Sequence, residues 1–320
     1  MNSTNPLVSI SCITYNHAKY IRDALEGFLM QKTSFPIEIL IHDDASTDGT
    51  TEIVREYEEK HPDIIKPLYE TENQWSKGIR GSAVFNFPRA LGKYIAICEG
   101  DDYWIDPLKL QKQVDFLEQN DEYGLIFTDV DIYYQKLNIF ERSVFHNNFF
   151  PVILTFREHL INSGFLAPCT WLCRKQYVPI EGNRYFDHTF PWMLDVLANS
   201  KIKYLDEVTT VYRLINESAS HSKSIRKRYL FSKGVFQTQK DYLEKYNQPN
   251  ELKKLISCKE YSMLLPSAIA LNDKELISEA SDFFKLNISS LKEKLLILFS
   301  QVSLTRFIFL FLYKIRGFKN

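Results

Sequence analysis

Three carboxylates stand within four residues at the end of an apolar run: Tyr94-Ile95-Ala96-Ile97-Cys98 leads into Glu99-Gly100-Asp101-Asp102. A strand ending in clustered acids suits a hard divalent cation, which prefers oxygen ligands and often binds through one or two carboxylates plus substrate phosphates. The same acids read equally well as a solvated turn ahead of the next helix. Three further segments carry chemistry. Ile13-Thr14-Tyr15-Asn16 puts a tyrosine where a strand turns toward a helix, placed to stack on a nucleobase beside N–H groups that favour an anion. An N-cap by Asn16 is the competing reading. His42-Asp43-Asp44-Ala45-Ser46-Thr47-Asp48-Gly49-Thr50 offers two acids that can accept hydrogen bonds from a base or ribose, with Ser46 or Thr47 expected to cap the following helix. A calcium loop fails there, because the twelfth position counted from Asp44 is Arg55 rather than a bidentate glutamate. An aspartyl nucleophile fails too, since Ser46 stands where an aspartate should precede Asp48 by two residues. Finally, Asp187 in Tyr185-Phe186-Asp187-His188-Thr189-Phe190-Pro191-Trp192 reads either as a general base or as an N-cap lying two residues early.

To position these residues, the first 130 must alternate strand and helix. Apolar runs at 7–13, 37–41, 64–69, 94–98 and from 125 read as strands. Ile21, Leu25, Phe28 and Leu29 recur at helical spacing, as do Ile53, Val54 and Tyr57 within 51–60. Leu110, Val114 and Leu117 form another helical stripe after Asp106-Pro107, an N-cap followed by an N1 proline. A helix over 83–91 must be kinked or shortened by Pro88. This order predicts a parallel, doubly wound sheet that binds ligands at the carboxyl ends of its strands. After Asp129 the pattern changes to an aromatic, hairpin-like stretch at 132–150, a strand at 168–173, a helix at 190–197 and a strand at 208–214. Helices alone are expected at 227–246, 251–271, 273–284 and from 289. A boundary near 224 therefore divides an α/β domain, 1–224, from a helical domain, 225–320.

The 39 basic and 40 acidic side chains nearly cancel, which excludes a global basic field for nucleic acid. The five cysteines are odd in number and sit mostly in apolar patterns, as buried thiols of a reducing cytoplasm would. Cys169 and Cys173 are spaced poorly for zinc. Residues 1–6 lack the basic-plus-apolar layout of a signal peptide. Residues 295–313 are mostly apolar but carry Gln301 and Arg306 and precede Lys314, Arg316 and Lys319. A central arginine costs a spanning helix about 2.5–3.5 kcal/mol, so an interfacial helix with a basic end fits better than a span. A helix packed on its own domain or on a second copy fits equally.

Taken together, Val8-Ser9-Ile10 through Thr14-Tyr15-Asn16, Asp43 through Thr50, Ala90-Leu91-Gly92-Lys93-Tyr94-Ile95, and the acidic motif with Tyr103-Trp104 resemble the family 2 glycosyltransferases in order and spacing, over roughly residues 6–222. These are inverting enzymes of the GT-A fold. The resemblance implies a Rossmann-like mixed α/β sheet flanked by helices, with an all-α C-terminal extension. It implies a nucleotide-sugar site in which Tyr15, next to Thr14, stacks on the donor's base and Asp44 binds the base with Asp43 beside it. Glu99, Asp101 and Asp102 answer to the family's Asp-x-Asp, which holds Mn²⁺ or Mg²⁺ against the donor diphosphate. Glu99 departs from the first aspartate, which leaves open which oxygens touch the cation. Asp187 matches the catalytic base. Val211-Tyr212-Arg213 with Asn216, Ser218, Ser220 and His221 resembles the segment that closes over the donor phosphates. Arg80 and Lys77 are within reach of a diphosphate or serve as ordinary surface residues. Trp75, Trp171 and Trp192 are candidate sugar-face contacts or plain core aromatics.

The implied reaction moves a sugar, from a UDP-sugar by preference, to an acceptor hydroxyl of a surface polysaccharide. The acceptor would be a glycan or lipid-linked glycan, met in the cytoplasm at the inner face of the membrane. Two other classes compete. A sugar-nucleotide nucleotidyltransferase should carry a glycine-rich loop after the first strand, where this chain has Ile13-Thr14-Tyr15-Asn16-His17-Ala18. A non-catalytic nucleotide-sugar-binding protein has no need of the full set of acids present here.

Overall fold

The computed structural model describes residues 5–179, 185, 187–215, 224–287, 294 and 297. Asn216, Ser218, Ser220, His221 and, apart from residue 297, the expected interfacial stretch from 295 lie outside the described residues. The chain divides into two compact units, Met1–Arg184 with His188–Asn216, and Tyr185–Asp187 with Glu217–Asn320.

The first unit is built on one sheet. Its strands are β1 (Val8–Thr14), β2 (Ile37–Asp43), β3 (Ile65–Tyr69), β4 (Tyr94–Ile97), β5 (Tyr103–Trp104), β6 (Tyr123–Tyr134), β7 (Ile139–Glu141), β8 (Leu172–Arg174) and β9 (Lys201–Leu214). The order is β3-β2-β1-β4-β8-β6-β9-β5, with β7 hairpinned onto β6. The β1, β2, β3 and β4 pairings are parallel, as the alternating pattern predicts. Beyond β4 the sheet is mixed, as the family resemblance implies and the alternating pattern alone does not: β8 runs antiparallel to both β4 and β6, while β6 and β9 are parallel. The break in periodicity after Asp129 is the sequence trace of this change.

All of β1 except Ile13 is buried, as expected of a central strand covered on both faces. Its serines must therefore find partners. Ser9 Oγ donates to Glu38 Oε1 (2.5 Å) and accepts from the Gly92 N–H (2.8 Å). Helix α1 (Ile21–Leu29) buries Ile21, Ala24, Leu25 and Phe28, and α2 (Thr50–Lys60) buries Val54 and Tyr57.

Several local expectations need correction. The helix over 83–91 is a π turn, Ser82–Asn86, followed by the single turn α3 (Phe87–Arg89). Pro88 has no N–H to give the carbonyl of Val84, and the chain widens there instead. The amide of Asn86 then reaches Ser11 Oγ (3.1 Å), Cys12 O (3.2 Å) and Leu40 O (3.1 Å), stapling the turn to β1 and β2. Helix α4 (Lys109–Gln119) starts two residues after Pro107. Asp106 closes a turn with the Leu108 N–H (2.9 Å) rather than capping the helix directly. The strand expected at 168–173 opens as a 3-10 turn, Pro168–Thr170, before β8. Thr170 Oγ1 bonds back to Ala167 O (2.8 Å), a local bond that competes with strand pairing. The remaining helices are α5 (Phe156–Asn162) and α6 (Thr189–Asn199).

In the second unit the described helices are α7 (Ile225–Lys245), α8 (Asn250–Leu271) and α9 (Lys274–Leu286). Ser224 caps α7, and Asp273 caps α9 while accepting from Tyr229 Oη (2.7 Å). Leu265, Ile269, Ala280 and Phe284 pack α8 against α9.

Candidate active site

The carboxyl ends of β1, β2 and β4 lie side by side and are tied through the main chain. The Asp44 N–H donates to Thr14 O (3.0 Å), and the Gly100 N–H donates to Ile13 O (2.9 Å). These two bonds bring together Thr14, Tyr15, Asp43, Asp44 and the Glu99–Asp102 loop, residues far apart in sequence. Gly100 is required by this approach: a Cβ there would lie 2.7 Å from Thr14 Oγ1.

The loops after β1 and β2 interlock. Asn16 N–H donates to Ser46 Oγ (2.9 Å), His17 N–H to Thr50 Oγ1 (2.8 Å) and Ala18 N–H to Asp48 Oδ2 (3.0 Å). The amides expected to receive an anion are thus already satisfied, and α1 begins only at Ile21. Neither Asn16 nor Ser46 nor Thr47 caps a helix. Gly49, at φ +102°, occupies the N-cap of α2, and Asp48 Oδ1 accepts from Thr50 N–H (3.1 Å). What the interlock leaves outside is the Tyr15 ring, 45% exposed.

Asp43 is buried, accepting from Ser46 N–H (3.2 Å) and Thr51 Oγ1. Asp44 accepts from Gln74 N–H (2.6 Å) and Trp75 N–H (3.1 Å), so it organises the loop after β3 while each oxygen retains a second lone pair. On that loop the Arg80 guanidinium stacks 3.8 Å from the centroid of Trp75, whose ring is exposed. Arg80 Nε donates to His188 Nε2, which fixes the histidine's proton on Nδ1. Burial lowers the Arg80 pKa. Lys77 pairs instead with Glu72. Trp171 and Trp192 are buried, edge-on at 5.3 Å, so of the three tryptophans only Trp75 presents a face.

The acids of the motif have three different surroundings. Glu99 is solvent-exposed; desolvation by the surrounding protein first, then the Asp101 charge, push its carboxyl up to about 7. Asp102 is buried, and Oδ1 accepts from the Arg213 N–H (2.8 Å) of β9. Burial, followed by the Asp101 charge, holds its pKa well above the carboxylate range. Asp101 is half-buried, with Oδ2 4.0 Å from His17 Nε2. Its Oδ1 is buried without a hydrogen-bond partner, as is Thr14 Oγ1. Among the described residues no group of three His, Cys, Asp or Glu side chains is arranged to hold an ion. The donor set fits a cation that takes one protein carboxylate and completes its shell elsewhere, as Mg²⁺ does with phosphates and water.

Beneath the motif, Lys109 is buried over the Trp104 ring (4.3 Å), and its Nζ donates to Gln113 Oε1 (2.8 Å). Desolvation brings its pKa down to about 7. The thiols of Cys12, Cys98, Cys169 and Cys173 are free and buried, and burial raises their pKa values. Asp187 precedes α6 by two residues and is grouped with the second unit. His17 and Lys109 escaped the sequence reading, and Arg213 entered it only within the segment likened to the one that closes over the donor phosphates. Only His17, one residue past Tyr15-Asn16, had a local signal.

Comparison with known proteins gives a consistent picture. The model of the family described as glycosyl transferase family 2 matches residues 9–179. A Mycobacterium tuberculosis protein of uncharacterised function is 44% identical over 128 residues, 40% of this chain and 36% of that protein. The matched stretch thus spans about a third of that relative. A Bacillus subtilis protein provisionally named a teichuronic acid biosynthesis glycosyltransferase is 30% identical over 227 residues, 70% of this chain and 85% of its own. An Escherichia coli protein named UDP-Glc:alpha-D-GlcNAc-diphosphoundecaprenol beta-1,3-glucosyltransferase is 37% identical over 112 residues, 35% of this chain and 41% of its own. Among solved structures, S. aureus TarS residues 1–349 with UDP-GlcNAc superposes with a TM-score of 0.54 at 16% identity, covering 92% of this chain and 79% of that one. A Pyrobaculum calidifontis mannosyltransferase with GDP-Man and Mn²⁺ superposes with a TM-score of 0.54 at 17% identity, covering 99% and 88%.

Proposed function

This chain belongs to glycosyl transferase family 2 and has its GT-A fold, and from that premise we propose that it transfers a sugar from a nucleotide-diphosphate sugar to an acceptor hydroxyl, with inversion, in surface-polysaccharide synthesis. The observation that carries the site is the junction of three strand ends, which sets Tyr15, Asp44 and Asp101 on one edge of the sheet. In this reading the exposed Tyr15 ring stacks on the base, a sequence-tolerant contact. Asp44 and Asp43 hold the loops that frame it, and Asp44 keeps lone pairs for a base or ribose donor. Arg80, stacked on Trp75 and bonded to His188, offers its remaining N–H groups to the diphosphate.

The unpartnered Asp101 oxygen, beside Thr14 Oγ1, supports Asp101 as the residue that would hold Mn²⁺ or Mg²⁺. Bound there, such an ion would neutralise charge developing on the leaving nucleoside diphosphate. Asp102, tied to β9, shapes the loop. Asp187 is assigned as the base from its place ahead of α6 and the family resemblance. The acceptor oxygen forms its bond to the anomeric carbon as the bond to the β-phosphate oxygen breaks on the opposite face. The hydroxyl proton passes to Asp187, and no covalent glycosyl-enzyme forms.

A UDP-sugar is the favoured donor because two of the named relatives carry UDP-sugars in their descriptions. A lipid-linked glycan is the favoured acceptor because the E. coli relative's name specifies a diphosphoundecaprenol. Among the described residues no helix is long and apolar enough to cross a membrane.

Asp187→Asn is expected to lower transfer about 10²–10⁴-fold, the usual contribution of a general base. Nucleotide binding with Mn²⁺ should change little. Equal loss of binding and turnover would remove Asp187 from the role of base.

A further inference from the structure

We propose that Arg213 is a positioning residue that presents the Asp101 carboxylate to the donor's cation, an inference that rests on the metal–diphosphate reading above. Arg213 is a single residue that grips both sides of the Asp101–Asp102 peptide. Its main-chain N–H donates to Asp102 Oδ1 (2.8 Å), and its Nε donates to the carbonyl of Asp101 (2.8 Å). The rest of the guanidinium is anchored in other elements: Nη1 on Gln135 Oε1 (2.9 Å) beyond β6, and Nη2 on Asp23 Oδ2 (2.7 Å) of α1. The rings of Tyr20, Tyr103 and Tyr133 surround it, with centroids 4.9, 4.9 and 5.7 Å from Cζ. The residue is 8% exposed. The side chain expected to close over the phosphates is therefore turned inward, with each of its three nitrogens hydrogen-bonded.

The consequence for Asp101 is geometric. On one flank the loop is held to β1 by the Gly100 N–H on Ile13 O (2.9 Å), and a turn bond joins Asp102 N–H to Glu99 O (3.1 Å). On the other flank Arg213 fixes the Asp101 carbonyl and the Asp102 side chain. Between these fixed points the Asp101 carboxylate is the free group, directed toward His17, with Oδ1 unpartnered. A planar fork that reaches Asp101 O, Gln135 and Asp23 together is a property of guanidinium; an ammonium at the same place keeps the charge and cannot span the three.

The test uses Mn²⁺ electron paramagnetic resonance, which reads free ion as protein is added in the presence of UDP, alongside thermal melting and transfer kinetics. Arg213→Lys keeps the main-chain bond to Asp102 and the positive charge. It is expected to melt within a few degrees of wild type, to bind Mn²⁺ at least tenfold more weakly, and to lose kcat with partial recovery at high Mn²⁺. If Arg213→Lys fails to fold, Asp23→Asn combined with Gln135→Ala loosens the same guanidinium while leaving Arg213 in place, and a severalfold weakening of Mn²⁺ binding is expected. Unchanged Mn²⁺ binding in a folded Arg213→Lys, or in that double variant, overturns the positioning role while the metal reading stands. A wild-type chain that takes up no Mn²⁺ beside UDP overturns the metal reading, and this inference with it.

Discussion

Asp101 and Asp102 are adjacent in sequence and opposite in circumstance. One is half-buried with an oxygen lacking any partner; the other is buried and bonded to β9. Their types and spacing were legible as a cation motif, but the division of labour between them was not, because it depends on a strand that arrives more than a hundred residues later. Glu99 makes a titration prediction. Its carboxyl is raised from 4.5 to about 7 in the folded chain. Across that window the folded state holds a proton that the unfolded chain has lost, so stability falls as pH rises from 4.5 to about 7 and levels off above it. Glu99→Gln is expected to flatten that part of the stability profile, read from denaturant midpoints between pH 5 and about 7.5. A profile with the same slope as wild type would show that Glu99 is not the group responsible.

Apolar periodicity placed β1, β2, β3, β4, α1 and α2 within a few residues, because each buries a regular face. It missed the antiparallel insertion of β8 between β4 and β6, which leaves no local mark beyond the end of the alternating pattern. Capping was misread for a related reason. Asn16, Ser46 and Thr47 look like helix caps in sequence, yet they bond across from one loop to the other. Two substitutions probe these loops. Gly100→Ala drives a Cβ to 2.7 Å from Thr14 Oγ1 and 2.9 Å from Ile21 Cδ1. It should therefore lower the melting temperature by several degrees and weaken Mn²⁺ binding together, since the acidic loop must move to admit the methyl. Asp44→Ala removes a buried carboxylate that accepts two main-chain N–H groups. It is expected to cost about 2 kcal/mol in denaturant unfolding. The donor KM should rise, because the Trp75–Arg80 loop loses its anchor. A variant with normal stability and KM would mean the loop is held by other contacts.

At the scale of the whole molecule, the family and fold follow from motifs that the sheet gathers at one edge, even though no single motif is specific. Donor, acceptor and linkage were not legible, because such choices lie in loops whose shape follows tertiary packing rather than local pattern. Four of the five cysteines are buried, as the apolar patterns around them predict, and their burial does not bear on specificity. In the proposed site Asp101, presented at the joined ends of β1, β2 and β4, makes nucleotide binding depend on a divalent cation. Calorimetric titration of UDP, and of GDP in parallel, with Mn²⁺ and then with EDTA tests it most directly. Binding of one nucleotide is expected to be at least tenfold tighter with Mn²⁺ than with EDTA, and that difference to be lost in Asp101→Asn. Equal affinity in Mn²⁺ and EDTA, or a cation effect that survives in Asp101→Asn, would contradict it.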